Sequence, residues 1–182
     1  MPNYRRADFD GGTYFFTLVR YHRQKILCEP HVRKALRKSI QNVRQANPFF
    51  INAWVLLPDH LHCIWTLPEN DTDYSLRWAK IKRFVTKQCG TLLYREDLMK
   101  QSKKRRNEST IWQRRFWEHL IRDDQDMKNH MDYIHYNPVK HNMVKRVNEW
   151  PYSTFHRHCH NGIYSENWGT GYIDDNQSEY GE

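Results

Sequence analysis

The 182-residue chain has few cysteines and no long apolar run. Its four cysteines, Cys28, Cys63, Cys89 and Cys159, stand far apart with no Cys-x-x-Cys pair. That spacing argues against a zinc finger and against a disulfide scaffold. No stretch approaches the ~18 apolar residues that a membrane-spanning helix needs, and the N-terminus leads into no apolar signal region. We therefore expect reduced thiols and a cytoplasmic protein.

Acidic residues are in the minority: 29 Lys and Arg stand against 21 Asp and Glu, a formal net charge of +8. The excess is concentrated in residues 77–115, where 13 basic side chains accompany three acidic ones. With 7 Trp and 11 Tyr available for base stacking, this balance favours nucleic acid as the partner. The basic residues expected to contact DNA are Arg77, Lys80, Lys82, Arg83, Lys87, Lys103, Lys104, Arg105, Arg106, Arg114 and Arg115.

The order of hydrophobic periods predicts the fold. Strands are expected at residues 14–19, 49–57, 61–67 and 111–121, and helices from Pro30 to Asn47, from Trp78 to about Gly90 and over residues 124–137. Residues 95–110 are expected to form a basic loop. The order β-α-β-β-α-β-α predicts an α+β fold, a ferredoxin-like antiparallel sheet with helices packed on it. We expect a single domain over residues 1–164 and an acidic tail over residues 165–182.

The pattern His-x-His occurs three times, as His60/His62, His156/His158 and His158/His160. Only the first pair lies in a predicted strand, where alternate residues share one face. Its two imidazoles can therefore share one cation. The plain alternative is that His60 ends a turn while His62 hydrogen-bonds on a sheet face.

A polar stripe runs beside the apolar stripe of the predicted helix 124–137. Tyr133 and Asn137 lie four residues apart on it, hence one above the other. A phenol that attacks phosphorus and an amide oxygen that completes a metal site would need this adjacency. Taken singly, Tyr133 also suits an interfacial aromatic, and Asn137 a helix end before Pro138.

Longer motifs extend this pattern over most of the chain. They are 4–6 (YRR), 11–17 (GGTYFFT), 52–55 (NAWV), 57–65 (LPDHLHCIW), 77–78 (RW), 115–119 (RFWEH), 132–134 (DYI), 137–141 (NPVKH) and 150–157 (WPYSTFHR). On these motifs the chain resembles the REP-associated tyrosine transposases, a bacterial branch of the single-tyrosine HUH endonucleases related to insertion-sequence transposases. One departure is Asn142, which stands where a glycine would often follow Lys-His; Asn also tolerates the left-handed conformation that ends a helix.

The resemblance implies a fold of the HUH-endonuclease type and a metal-dependent DNA strand transferase. It implies that His60 and His62 are metal ligands, Asn137 the third ligand and Tyr133 the nucleophile. The cation would be Mg²⁺ or Mn²⁺, and the reaction would pass through a 5′-phosphotyrosine. The substrate would be single-stranded or hairpin DNA of REP-like palindromes.

Two other functions stay open on the residues alone. One is a non-catalytic module that holds single-stranded nucleic acid on its sheet. The other is a zinc hydrolase in which Glu118, His119 or His130 joins His60 and His62. Both a monomer and a homodimer are compatible with the sequence. The acidic tail, with a net charge of −5, either solubilises the chain or folds onto residues 77–115 and competes with DNA.

Overall fold

The computed structural model describes residues 9–170. Its four strands form one antiparallel sheet: β1 (Thr13–Val19), β2 (Phe50–Leu56), β3 (His60–Thr66) and β4 (Trp117–Leu120). They lie side by side in the order β2-β3-β1-β4. The helices are α1 (Pro30–Ala46), α2 (Tyr74–Leu93), α3 (Gln101–Arg105), α4 (Asp124–Lys140) and α5 (Phe155–His160). The predicted ferredoxin-like α+β fold is confirmed.

Both faces of the sheet are covered, so its central strands, β1 and β3, are almost continuously buried. One face carries Phe16 and Trp65 and packs against α1 and α2. Trp65 stacks on Trp78 of α2 with ring centroids 3.9 Å apart and planes at 20°. Such a pair contributes about 0.5–1.5 kcal/mol beyond its burial. This layer forms the larger core.

The other face of the sheet packs against α4. Phe15, Ala53, Val55 and Ile64 project from three strands onto Tyr133 and Ile134 of that helix. Asp123 immediately precedes the helix, and its Oδ1 accepts a hydrogen bond from the backbone N–H of Asp126 at 2.8 Å. An aspartate in this position caps a helix and suits its positive end. The fold thereby sets one face of α4 against β3.

Several boundaries differ from those predicted. The fourth strand is confined to Trp117–Leu120, because the segment before it pairs through an isolated bridge between Trp112 and Arg20, just beyond the end of β1. Residues 95–110 contain α3 and a short 3-10 turn rather than a plain loop. Helix α4 continues through Pro138 to Lys140. A proline near a helix end removes only one backbone donor, and the extra turn brings Lys140 and His141 to the level of β3.

The turn after α4 contains Asn142 at a φ of 56°. This is the left-handed conformation that Asn was expected to accept in place of Gly. Among residues 9–170, no helix is both long and apolar enough to cross a membrane.

Candidate active site

Two histidines lie side by side on β3. Because side chains alternate along a strand, His60 and His62 share the face that meets α4. Leu61 and Cys63 point instead into the core under α1 and α2. The two imidazole centroids lie 4.9 Å apart, with ring planes at 80°. Both rings are buried, so the strand holds them in fixed positions.

The Nδ1 atom of each imidazole contacts a polar neighbour. His60 Nδ1 lies 2.7 Å from Asp59 Oδ1, and His62 Nδ1 lies 2.9 Å from Thr17 Oγ1 on β1. Burial raises the pKa of the Asp59 carboxyl, but the hydrogen bond and charge of His60 and the contact with Arg23 bring the pKa below its usual value. An ionised Asp59 accepts the Nδ1–H of His60. Each histidine would therefore ligate a cation through Nε2.

Helix α4 brings Tyr133 and His141 against this pair. The ring centroid of Tyr133 lies 5.2 Å from that of His62, with an edge-on geometry. Two turns later, the ring centroid of His141 lies 5.1 Å from that of His60. Asn137 falls midway between them, at four-residue spacing, and is buried. The three side chains therefore follow one stripe of α4 along the histidine pair.

These residues fit a divalent cation. Two imidazoles, each oriented through its second nitrogen, together with an amide oxygen, form a mixed nitrogen and oxygen donor set. Such donors suit Mn²⁺ and, through the oxygen, Mg²⁺. Asp59 and Thr17 act on the histidines as the hydrogen-bonding partners that metal-binding histidines usually have.

Four residues near the site escaped the sequence interpretation. Asp59 and Lys140 lie inside motifs quoted from the sequence, and Asp59 directly precedes His60. His141 follows Asn137 by four residues, so helical spacing places it on the same stripe of α4. Thr17 could not be found in this way, because its contact with His62 depends on the pairing of β1 with β3. Lys140 Nζ lies 3.4 Å from Tyr133 Oη.

The residues considered for a zinc hydrolase are placed elsewhere. Glu118 is buried on the opposite face of the sheet, where Tyr74 Oη lies 3.5 Å from its Oε1. His119 Nε2 and His130 Nδ1 instead approach the carboxylate of Asp126, at 2.9 Å each. The structure therefore does not bring any of the three into the His60/His62 pair.

The basic residues divide into buried and exposed groups. Arg77 is buried and forms an ion pair with Asp71 at 2.6 Å. Lys103 is also buried; its Nζ lies 3.0 Å from the carbonyl of Ser109 and over the ring of Tyr21. Both cations stabilise loops, so they are not available to a surface ligand in this conformation. Of the other predicted DNA contacts, Lys82 is half-buried, and its Nζ donates to the carbonyl of Gln113 at 2.7 Å. The exposed ones are Lys80, Arg83, Lys87, Lys104, Arg105, Arg106, Arg114 and Arg115.

Arg114 and Arg115 lie beside the end of β1 that faces the histidines. The backbone N–H of Gln113 donates to the carbonyl of Val19 at 3.1 Å, and Val19 pairs with His60 across the sheet. Half-buried Trp117 then pairs with Thr17. The exposed cations of α2 belong to the other layer of the molecule, because α2 packs on the opposite face of the sheet.

The first residues of the acidic tail pack against the end of the fold. Trp168 lies 4.7 Å from Tyr164 and 6.0 Å from Phe155, ring centroid to ring centroid. Tyr164 Oη in turn donates to Asp132 Oδ1 of α4 at 2.6 Å. The rest of the predicted 165–182 tail, residues 171–182, lies outside the described residues, so its expected competition with DNA stays a prediction.

Comparison with known proteins agrees with this geometry. The family profile described as "Transposase IS200 like" matches residues 9–137. The REP-associated tyrosine transposase of Escherichia coli (strain K12) is 46% identical over 169 residues, covering 92% of this chain and 91% of its own. A relative from Haemophilus influenzae is 45% identical, covering 93% and 94% of the two chains.

A solved structure, of a REP-associated tyrosine transposase bound to a REP hairpin, superposes with a TM-score of 0.82. It is 44% identical, and the match covers 100% of this chain and 98% of that one. Sequence and structure relatives thus span nearly the whole chain. The protein belongs to the IS200-like transposase family and, within it, to the REP-associated tyrosine transposases.

Proposed function

We propose that this transposase cleaves and rejoins single strands of hairpin-forming DNA through a covalent bond to Tyr133. The observation that supports the proposal most directly is the edge-on contact between Tyr133 and His62, with centroids 5.2 Å apart. It places a phenol beside two imidazoles that are oriented for a cation. Tyr136, the other tyrosine of α4, is half-buried three residues further along the helix and is the nearest alternative nucleophile.

The reaction would proceed as an in-line displacement. The Tyr133 hydroxyl loses its proton, its oxygen bonds to phosphorus, and the bond from phosphorus to the 3′-oxygen breaks. The products are a 5′-phosphotyrosine and a free 3′-hydroxyl, so the phosphodiester energy is retained for rejoining. A divalent cation, Mg²⁺ or Mn²⁺, held by His60, His62 and Asn137 would polarise and orient the phosphate. Lys140 would donate a hydrogen bond to the attacking oxygen.

The third ligand is assigned to Asn137 because it lies between the two contacts that α4 makes with the histidine pair. His141, beside His60, is the competing ligand. Replacing Asn137 with Ala should weaken Mn²⁺ binding, although less than loss of either strand histidine, because a neutral amide binds the metal more weakly than imidazole. If His141→Ala weakens Mn²⁺ binding and Asn137→Ala does not, the assignment passes to His141.

Two surfaces would carry the DNA. Arg114, Arg115 and half-buried Trp117 flank the active-site end of β1, where a phosphate and an adjacent base could be held by charge and stacking. A cavity of about 730 Å³ between α2 and residues 94–114 includes Lys82, Arg83 and Lys104 in its lining. The solved relative was bound to a REP hairpin, and a stem lying along the basic rim of this cavity, with its single-stranded flank at β1, would meet both surfaces.

A non-catalytic DNA-binding module is the second candidate, and one observation favours it. Tyr133 is only 2% exposed, so the side chains that cover it must move before a phosphate can reach its hydroxyl. The zinc-hydrolase alternative has no comparable support, because Glu118, His119 and His130 lie away from His60 and His62.

Labelling the two ends of the DNA separates these functions. The full-length protein would be incubated with Mn²⁺ and a pool of single-stranded oligonucleotides, each folding into one palindromic hairpin with randomised flanks. A tyrosine transesterase transfers a 3′-terminal label to the protein on a denaturing gel and releases a 5′-labelled fragment. Binding without an adduct supports the non-catalytic module, and cleavage without an adduct supports a hydrolase.

A further inference from the structure

A second group of metal-ligating side chains lies beside the active site and has no part in the proposed reaction. It consists of His119 on β4 and of Asp126 and His130 in the first two turns of α4. One ligand atom from each residue lies within 4.8 Å of the other two. Among residues 9–170, these three form the one such group of histidine, cysteine and acidic side chains.

The donor atoms converge on the Asp126 carboxylate. His119 Nε2 and His130 Nδ1 lie 2.9 Å from its two oxygens. His130 Nδ1 also donates a hydrogen bond to the backbone carbonyl of Asp126 at 2.8 Å, so a bound cation would take the place of the Nδ1 proton. These are hydrogen-bond distances, and the ligand atoms would move slightly apart to surround one small cation. Two imidazoles and a carboxylate are a common donor set for Zn²⁺, with a further position left for water or a carbonyl.

The group is open to ions from one side. The side chains of His119 and Asp126 are 21% and 19% exposed, and that of His130 is 7% exposed. Behind them the two imidazoles stack, with centroids 4.6 Å apart and planes at 15°, and Trp117 continues the stack against His119. A small rotation of the more exposed His119 ring would direct Nε2 towards a cation held by the other two residues.

This group is separate from the His60/His62 pair. The ring of Phe15 lies between them, 5.5 Å from His62 and 4.8 Å from His130, centroid to centroid. Paired catalytic metals lie about 3.5–4 Å apart and share ligands. An intervening phenyl ring does not permit that arrangement, so a cation here would not act on the scissile phosphate.

We propose that His119, Asp126 and His130 form a second metal site, selective for a borderline transition cation such as Zn²⁺. The bound ion ties edge strand β4 to the N-terminal half of α4. Because Tyr133 follows His130 by three residues on the same helix, the ion fixes the helix that carries Tyr133 against the sheet. Its role is therefore to position α4, and it does not depend on DNA cleavage.

Zinc titration of the full-length protein tests the site without DNA. In the His60→Ala/His62→Ala variant, isothermal titration should find one Zn²⁺ per chain, and Co²⁺ should give the absorption bands of a tetrahedral nitrogen and oxygen site. Adding His119→Gln should weaken Zn²⁺ binding at least 100-fold. Adding the exposed control His156→Ala should leave it unchanged.

Two outcomes would overturn the proposal. The first is the absence of stoichiometric Zn²⁺ binding in the His60→Ala/His62→Ala variant. The three side chains would then hold β4 against α4 through hydrogen bonds alone. The second is undiminished binding after His119→Gln. Should that variant fail to give the circular dichroism spectrum of the parent, Asp126→Asn replaces it, since the amide keeps the size of the carboxylate while losing its charge. Undiminished binding in Asp126→Asn equally rejects the site.

Discussion

Lys140 Nζ lies 3.4 Å from Tyr133 Oη and 4.6 Å from the centroid of the Tyr133 ring. The two residues are seven apart on α4, so two helical turns place the ammonium group over the phenol. Lys140 is therefore positioned to donate a hydrogen bond to the phenolate oxygen that forms when Tyr133 loses its proton for attack.

Lys140→Ala should slow strand cleavage by about tenfold or more, since a charge-assisted hydrogen bond contributes about 1.5–3 kcal/mol. Lys140→Arg should retain part of the rate because it keeps the charge. Single-turnover cleavage at saturating DNA measures the effect apart from binding. Exposed Lys145 provides the control, and Lys145→Ala should cleave at the parental rate. A parental rate for Lys140→Ala would remove Lys140 from the mechanism.

Loss of either strand histidine should nearly abolish cleavage and raise the Mn²⁺ concentration that cleavage requires. His60→Ala and His62→Ala are each expected to reduce cleavage by on the order of a thousandfold, with partial recovery at high Mn²⁺, because a cation with one ligand fewer binds weakly. Cleavage across a Mn²⁺ titration gives the measurement. Exposed His160, at the end of α5, is the matched control. His158 would not serve as a control, because it is buried and its Nε2 lies 2.9 Å from the carbonyl of Asn52.

The partners of the two histidines should set metal affinity without being ligands. Thr17→Val removes the hydroxyl that contacts His62 and keeps the shape of the side chain, while Asp59→Asn removes the charge beside His60. Each should weaken Mn²⁺ binding about 10- to 100-fold. Isothermal titration with Mn²⁺ measures this directly. Thr13→Val, on the same strand but at a distance from the site, should bind Mn²⁺ as the parent does. If the parent and all three variants bind Mn²⁺ equally, the contacts of Thr17 and Asp59 do not orient the histidines.

The stability of the fold should fall below about pH 6.5. Burial, and then the charge of His158, lower the pKa of His135 to about 3. An unfolded chain protonates this histidine near pH ~6.5, whereas the folded chain keeps it neutral until about pH 3. The unfolded state therefore binds the extra proton in this window, and each pH unit of acidification costs about 1.4 kcal/mol.

Urea unfolding at several pH values between 7.5 and 5 would check this pH dependence. His135→Gln should be less stable than the parent at neutral pH. Its free energy of unfolding should fall less steeply on acidification, because unfolding takes up one proton fewer. His130 and His158, whose pKa values are also lowered mainly by burial, should contribute to the decline that remains. An unchanged slope in His135→Gln would mean that another group carries the proton uptake.

The sheet and its helices were predictable because their periods are strong. The alternation in β3 placed His60 and His62 on one face, and the helical spacing placed Tyr133 above Asn137. Both relations are local, and they follow from the geometry of a single strand or helix. The predicted boundaries were less accurate where tertiary contacts decide them. Helix α4, for example, was predicted to end at Asn137 but continues through Pro138 to Lys140.

Relations between distant parts of the chain were not predictable from local pattern. Thr17 reaches His62 only through the register of β1 with β3. The basic run of residues 77–115 indicated an anionic partner, but the sequence could not say that Arg77 and Lys103 are buried by loop contacts. His119 and His130 were considered only as partners of His60 and His62, and only the position of α4 beside β4 brings them together with Asp126.

The central claim, that Tyr133 is the nucleophile, is tested most directly by mass spectrometry of the protein–DNA adduct. The protein would be trapped with hairpin DNA and Mn²⁺, digested with nuclease and protease, and the modified peptide sequenced. The account predicts a nucleotide on Tyr133, no adduct in Tyr133→Phe with DNA affinity nearly unchanged, and a normal adduct in Tyr136→Phe. A nucleotide on Tyr136, or an adduct that persists in Tyr133→Phe, would contradict it.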